Sequence, residues 1–365
     1  MAQRRVYRLH AQRGFHFGIR GVGVEASALT AASDTLFGAL CQALRATQGL
    51  TGAYGLQALL DTCRAGAPPF LLSSLFPYAG EVLLLPRPLP LFAAGAKAAR
   101  KARYLSWNLF AAWIDAGTTP AQAAVFAPEN QLHNSAVWVT AAERAMLIAP
   151  FADPDALDDS VRFWQTGDVP RVTVDRVSNA AQVYQAGRIV FPEGAGLYCL
   201  IEWRDPAWQP AIHGALAYLG EEGIGGERSA GYGQFTLEAD ATGVLGYAAP
   251  ALPVPPGPAA AMTLALYYPA RAEVTTLAQG RYDLTMRRGW VGAPGIGGTR
   301  WADVLMVAEG SVLPWPADEL RGTMADVSPA APAWPAGDPR IWRYGYGLPL
   351  AVPAGLIHEV PDATA

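Results

Sequence analysis

The run Ala249-Pro-Ala-Leu-Pro-Val-Pro-Pro-Gly-Pro258 constrains this chain more than any other stretch, because its five prolines fit neither a helix nor a sheet interior. Such a run is a semi-rigid, extended connector. A chain of 365 residues exceeds what one hydrophobic core usually organises, so the connector is the natural place to divide it. We expect an N-terminal domain over residues 1–245, a linker over 246–260 and a smaller, strand-rich domain over 261–365.

Each part has enough apolar residues to fold: 51% of the chain is hydrophobic and only 16% charged. The formal net charge of -4 argues against a protein that coats nucleic acid through bulk electrostatics, so any RNA site must be local. Lys97 and Lys101 are the only lysines; the other basic residues are arginines, which suit bidentate phosphate contact and base stacking. Arg4, Arg5 and Arg8 lie near the start, but no apolar block follows them. No stretch approaches the roughly 20 apolar residues of a membrane span, so we expect a cytoplasmic protein with no membrane partner.

Cys41, Cys63 and Cys199 are widely spaced, which fits reduced thiols and offers no zinc site. His10, His16, His133, His213 and His358 show no ligand spacing, and Asp153, Asp155, Asp158 and Asp159 lack the pattern of a calcium loop. No metal and no cofactor is expected.

The chain opens with a strand, where Val6, Arg8 and His10 alternate with Tyr7 and Leu9, followed by a glycine-rich loop from Gly14 to Gly23. Leu36, Phe37, Leu40 and Leu44 then recur at helical spacing, with Ser33 or Asp34 placed to cap the free amides. Residues 56–64 read as a second helix. Leu71 to Leu85 is strand-rich, with an interruption at Phe76-Pro77-Tyr78. Ala93 to Leu109 has helical propensity and gathers Lys97, Arg100, Lys101 and Arg103, a charge run that reads equally as a solvated face. Residues 171–177, 188–191, 197–203 and 234–238 have strand character, and 211–219 that of a short helix. Beyond the linker, 262–268, 282–288, 303–308 and 348–352 read as strands.

Between that last helix and the strand at 234 lies Gly223-Ile-Gly-Gly-Glu-Arg-Ser-Ala-Gly-Tyr-Gly233. Glycine permits positive φ and removes the side chain, so consecutive amides can converge on phosphate oxygens while Arg228 adds a charged fork. Tight turns use glycines as well. A Walker loop would need Gly-Lys followed by Ser or Thr, and a dinucleotide fingerprint would precede a helix; neither condition is met. Gly295-Ile-Gly-Gly-Thr-Arg300 partly echoes the loop.

Taken in order, Phe15-His-Phe-Gly18 with Gly21-Val-Gly23, Ser33-Asp-Thr-Leu-Phe-Gly-Ala-Leu40, Leu72-Ser-Ser-Leu-Phe-Pro-Tyr78 with Leu85-Pro-Arg-Pro88, and Val174-Asp-Arg-Val-Ser-Asn179 form a series. The glycine loop, Arg288-Gly-Trp-Val291, Glu309-Gly-Ser-Val312 and Tyr344-Gly-Tyr-Gly-Leu-Pro349 continue it. The series resembles the RAMP superfamily, and within it the family of fourth Csm subunits of type III-A CRISPR effector complexes. The resemblance implies an α+β fold of tandem ferredoxin-like, RRM-like domains with glycine-rich loops. It also implies a non-catalytic role: a cleft gripping the crRNA 5′ handle, with the large polymerase-like subunit and the repeated backbone RAMP subunit as partners.

The RNA-binding residues expected on this basis are His16, Phe17, Gly18, Arg20 and Gly21 in the first loop, and Ser33 at the helix start. They continue with Arg171 and Arg176 on a projecting hairpin over 171–191, then Gly223, Gly225, Gly226, Arg228, Ser229, Gly231, Tyr232 and Gly233, and Trp290. Phe17, Tyr232 or Trp290 could stack a base. The alternative is an endoribonuclease that processes precursor crRNA with His16 as acid or base, since some RAMP relatives cleave RNA in this way. Asp175 is assigned a structural or positioning role.

Overall fold

The computed structural model describes all residues except 1–2, 20–24, 92–99, 117–124, 153–159, 176, 178–179, 241, 256–258, 291–298, 317–318, 330–339 and 359–365. Arg20, Gly21, Lys97, Arg176, the acidic run at 153–159 and most of the second glycine loop therefore lie outside the described residues.

The N-terminal part is built on a sheet that is antiparallel except where β7 pairs β9 in parallel. β1 (Gln3–Ala11) leads through the short pair β2 (Phe17–Gly18) and β3 (Ser27–Ala28) into α1 (Ser33–Gln48) and α2 (Leu56–Arg64). β4 (Phe70–Leu72), β5 (Phe76–Ala79) and β6 (Val82–Pro86) follow. An insertion then contributes β7 (Tyr104–Ser106), α3 (Trp107–Ala116), β8 (Gln131–Leu132), β9 (Val137–Trp138) and α4 (Ala141–Ile148). A hairpin of two ten-residue strands, β10 (Gln165–Val174) with β11 (Ala181–Val190), precedes β12 (Ala195–Trp203), α5 (Gln209–Glu222), β13 (Phe235–Leu237) and β14 (Tyr247–Ala248). The sheet runs β13-β1-β12-β5-β6-β7-β9-β8, with β14 on β1 and β4 on β12.

Helix α1 forms because Leu36, Phe37, Leu40, Ala43 and Leu44 make one apolar stripe, all of it buried, and it stops at Gly49, whose φ of 81° no β-carbon favours. Its capping differs from the expectation: Ala32 is the N-cap and no side chain caps the helix. Ser33 and Asp34 are instead committed to contacts with distant parts of the chain, described below.

The strand read from Val6 to His10 is present as β1, and because Val6, Tyr7, Arg8 and Leu9 are all buried it is covered on both faces. Two other expectations are corrected. Phe76-Pro77-Tyr78 does not interrupt the sheet but belongs to β5, where burial of both aromatic rings outweighs the missing proline donor. Within Ala93–Leu109, Arg100 and Lys101 are helical as expected, but Tyr104–Ser106 is a strand paired with β6 and a second helix begins at Trp107; ladder pairing overrides propensity over those three residues.

Residues 249–255 are coil, as the prolines require. Beyond them β15 (Ala259–Thr263) is central in a three-stranded sheet, with β18 (Val312–Leu313) on one side and β21 (Pro349–Pro353) on the other. The ribbons β16 (Leu284–Arg287) with β17 (Val304–Val307) and β19 (Ala325–Asp326) with β20 (Trp342–Arg343) flank it, and α6 (Val274–Leu277) and α7 (Gly355–His358) are single turns.

The coil does not separate two cores. One hydrophobic cluster contains Leu36, Phe37 and Phe70 together with Met262, Tyr344 and Tyr346. Phe37 and Tyr344 stack at 4.6 Å, the Tyr344 hydroxyl accepts the Leu72 N–H at 3.1 Å, and Arg4 donates to the Pro349 carbonyl at 2.8 Å.

Candidate RNA-binding cleft

A cleft of about 720 Å³ opens where three elements meet: the exposed side of α1, the end of α5 running into the glycine loop, and the β16–β17 and β19–β20 ribbons. Phe17, Gly18, Gly223, Gly225, Gly226 and Arg228 line one side. Asp34, Arg287, Trp301, Glu309 and Arg343 line another. Most of the second group was not singled out by the sequence reading. The strand read over 282–288, observed as β16 over Leu284–Arg287, was the available signal, because alternation along a strand turns every second side chain to one face.

The glycine loop leaves α5 at Gly223 (φ 81°), returns to β13 and packs on the segment before β2. Its glycines are needed mainly by the protein itself. A β-carbon at Gly225 (φ 96°) would lie 2.4 Å from the His16 carbonyl oxygen, and one at Gly233 (φ 84°) 2.2 Å from that of Ile224. The Gly226 N–H donates to the His16 carbonyl and the Gly233 N–H to that of Gly14, each at 2.8 Å; the N–H of Tyr232 donates to Glu227. The expectation that all these amides face a ligand is thus too broad.

What remains is a short concave turn. Glu227 is left-handed (φ 55°, ψ 24°) and is followed by the right-handed turn Arg228–Ala230. The N–H groups of Gly225, Glu227, Arg228 and Ser229 have no partner among the described residues, and the Arg228 and Ser229 side chains are exposed. Alternating left- and right-handed residues turn successive amides toward one point, a geometry that binds anions.

Other sequence-chosen residues are placed differently. His16 is 4% exposed; its Nδ1 lies 2.7 Å from the Gly187 carbonyl and its ring packs over Gly226. It fastens the glycine loop to the base of the hairpin and is not positioned to reach a 2′-hydroxyl. Phe17 is buried and stacked on Phe15 at 5.3 Å. Tyr232 is buried beneath Arg171, whose guanidinium lies 5.2 Å from the ring centre. Neither ring offers an open face as it stands. Ser33 is fully buried: its hydroxyl accepts the Leu266 N–H at 3.0 Å and its N–H donates to Ser74 at 2.8 Å, so it does not face a ligand. Gly231 packs against Arg13, while Gly18 is exposed at the cleft. Trp290 is 57% exposed and holds Arg300 over its ring at 4.7 Å. Asp175 accepts the Val177 N–H at 2.8 Å, an Asx turn at the hairpin tip.

The cleft floor is an ion cluster. Asp34, its side chain wholly buried, accepts from Arg287 Nε and Nη2 at 2.9 Å each and from Arg343 Nη1. Burial alone would raise the Asp34 carboxyl, but the two guanidiniums outweigh it and hold it below the ordinary carboxylate range. Glu309 bonds Ser74, and burial pushes its carboxyl up. No group of three or more metal-ligating side chains occurs among the described residues, and none of their helices is long and apolar enough to cross a membrane.

The fold is α+β, and it is shared with solved CRISPR subunits. Over 96% of its length this chain superposes on 99% of a chain from the Csm3-Csm4 subcomplex of the type III-A CRISPR-Cas interference complex, at a TM-score of 0.63 and 16% identity. It also superposes, over 99% of its length and 100% of the other chain, on a chain of the Csm1-Csm4 cassette in complex with pppApA, at 0.53 and 18%. Residues 258–352 match the model of the CRISPR Csm4 C-terminal domain family. A stretch of 221 residues, 56% of this chain, is 29% identical to the CRISPR system Cms protein Csm4 of Thermococcus onnurineus (strain NA1); it spans 62% of that relative's length. The resemblance to Csm4 subunits read from the sequence is borne out by these matches.

Proposed function

We propose that the chain is a non-catalytic RNA-binding subunit of a type III-A CRISPR interference complex, holding the crRNA 5′ handle and joining the large polymerase-like subunit to the repeated backbone subunit. The observation that carries this reading is the concave turn at Glu227–Ser229, with its unpartnered amides and exposed Arg228 on the cleft. Relatives described as Csm4 are found with Csm3 and with Csm1, which supports the two protein partners. The committed ring nitrogen and burial of His16 support a binding role over nucleolytic chemistry.

The domain reading belongs to the same proposal. A ferredoxin-like β-α-β-β-α-β unit over residues 1–245 is supported by the order β13-β1-β12-β4, with α1 following β1 and α5 following β12. The second domain, over 261–365 and joined through 246–260, is read on the three strands β18-β15-β21.

The test is co-expression of the tagged chain with its partner subunits and a repeat array, followed by end-mapping of the copurified RNA. Guides sharing one repeat-derived 5′ end, lost on Arg228→Ala with the fold intact, are the expected result. Unchanged guide occupancy in that variant, or cleavage of precursor RNA that His16→Ala abolishes, overturns the reading.

A further inference from the structure

We propose that Arg287, on β16, is a second phosphate-binding residue of the cleft, held in position by Asp34 and directed at the backbone of single-stranded RNA. The inference deepens the handle reading above and rests on it.

The argument begins with charge. Asp34 is a carboxylate at the start of α1 that would repel a phosphate, but it is wholly buried and bonded to two guanidiniums, Arg287 and Arg343. The other carboxyl on the cleft floor, Glu309, is bonded to Ser74 and pushed by burial toward its neutral form, so the two guanidiniums are opposed mainly by Asp34 and positive charge predominates beside a helix N-terminus, where the backbone dipole adds to it.

The two arginines are not equivalent. The Arg343 side chain is 9% exposed, with its guanidinium 4.2 Å from the centre of the Trp301 ring, so its capacity is used inside the protein. The Arg287 side chain is 27% exposed and lines the cleft. Its Nε and Nη2 are fixed by Asp34, Nη2 also donates to Thr35 Oγ1 at 2.8 Å, and Nη1 has no partner among the described residues.

A guanidinium locked on one edge by a carboxylate presents its remaining N–H groups in a fixed direction, and the entropy of ordering a long side chain is lost on folding rather than on binding. Phosphate oxygens match that fork and carry full negative charge, so they gain more from it than the neutral acceptors of a base edge. The cleft would then grip RNA from both parts of the chain, Arg228 from one and Arg287 from the other.

The experiment is a salt series of binding affinities for the full chain and a single-stranded RNA of repeat-derived handle sequence, with Arg287→Gln and Arg228→Ala measured in parallel. Loss of one phosphate contact on a single strand should lower the slope of log K against log salt by about 0.7, with affinity about ten-fold weaker. A slope equal to wild type in Arg287→Gln, whatever happens to its thermal midpoint, makes the residue a tie within the fold and overturns the proposal. Should that variant not fold, Arg287→Lys keeps a cation beside Asp34 and loses the fork; affinity equal to wild type then overturns it. Dependence on Arg228 without dependence on Arg287 sinks this inference alone. A wild-type chain that binds handle RNA no better than an unrelated strand sinks the handle reading as well.

Discussion

Asp34 in the first turn of α1 accepts two 2.9 Å hydrogen bonds from Arg287, which lies 253 positions further along the chain. With Arg343 as its third donor, this carboxylate joins the helix that opens the fold to the ribbons that close the cleft. Because the carboxylate is buried, removing it leaves two guanidiniums facing each other without compensation. Asp34→Ala should therefore destabilise the chain by about 3–5 kcal/mol, read from urea unfolding. A change within about 0.5 kcal/mol, the range of an ordinary surface substitution, would show that the pair holds nothing together.

The same carboxylate gives stability a pH dependence of definite sign. Its folded pKa is depressed, so its contribution is complete above the unfolded carboxylate value of about 4 and is lost as pH falls through the folded value. His133 acts in a different window. Burial first, then the nearby Arg162 charge, lowers its pKa to about 4. The unfolded chain therefore binds the extra proton between about 6.5 and about 4, and stability falls across that interval as pH is lowered. Thermal midpoints measured from pH 7 to below 4 should decline in two stages, and His133→Phe should reduce the first alone, the remainder belonging to His213, whose pKa burial and the Arg5 charge also lower. A midpoint constant down to pH 4.5 would contradict the His133 assignment.

The shared aromatic core makes a thermodynamic prediction about the proline run. Phe37 and Tyr344 stack within one cluster that spans both sides of residues 249–255. Unfolding the C-terminal part alone would expose that ring pair and the Leu72 amide held by Tyr344. Calorimetry should show one cooperative transition for the whole chain, with Tyr344→Ala lowering it by about 3–5 kcal/mol. Two resolved transitions, the upper unaffected by Tyr344→Ala, would mean that the parts fold independently.

Two glycines of the cleft should respond in opposite directions. Gly225 has φ 96° and would bring a β-carbon to 2.4 Å from the His16 carbonyl, so Gly225→Ala should cost at least about 1–3 kcal/mol and weaken RNA binding. Gly38 is inside α1 with open space where its β-carbon would be, so Gly38→Ala should stabilise by about 0.5–1 kcal/mol. Denaturant midpoints decide both; a neutral Gly225→Ala would mean the loop adapts without cost.

Local chemistry already wrote most of the elements into the sequence. The helical spacing of Leu36, Phe37, Leu40 and Leu44, the prolines after Ala249 and the glycines between α5 and β13 each restrict the backbone wherever they occur. The order of these segments also carried the resemblance to Csm4 subunits. What the sequence could not assign was the partner of each polar group. Ser33 and Asp34 have the composition of a helix cap, yet they bond Leu266, Arg287 and Arg343, because burying a hydroxyl and a carboxylate demands partners that only the folded chain brings within reach. His16 and Tyr232 look like ligand contacts by type but are consumed in fastening the loop to the hairpin. Backbone preference acts over a few neighbouring residues and can be read in order along the chain. Electrostatic pairing and desolvation act through space, so the cleft and its charge were decided only by the tertiary structure.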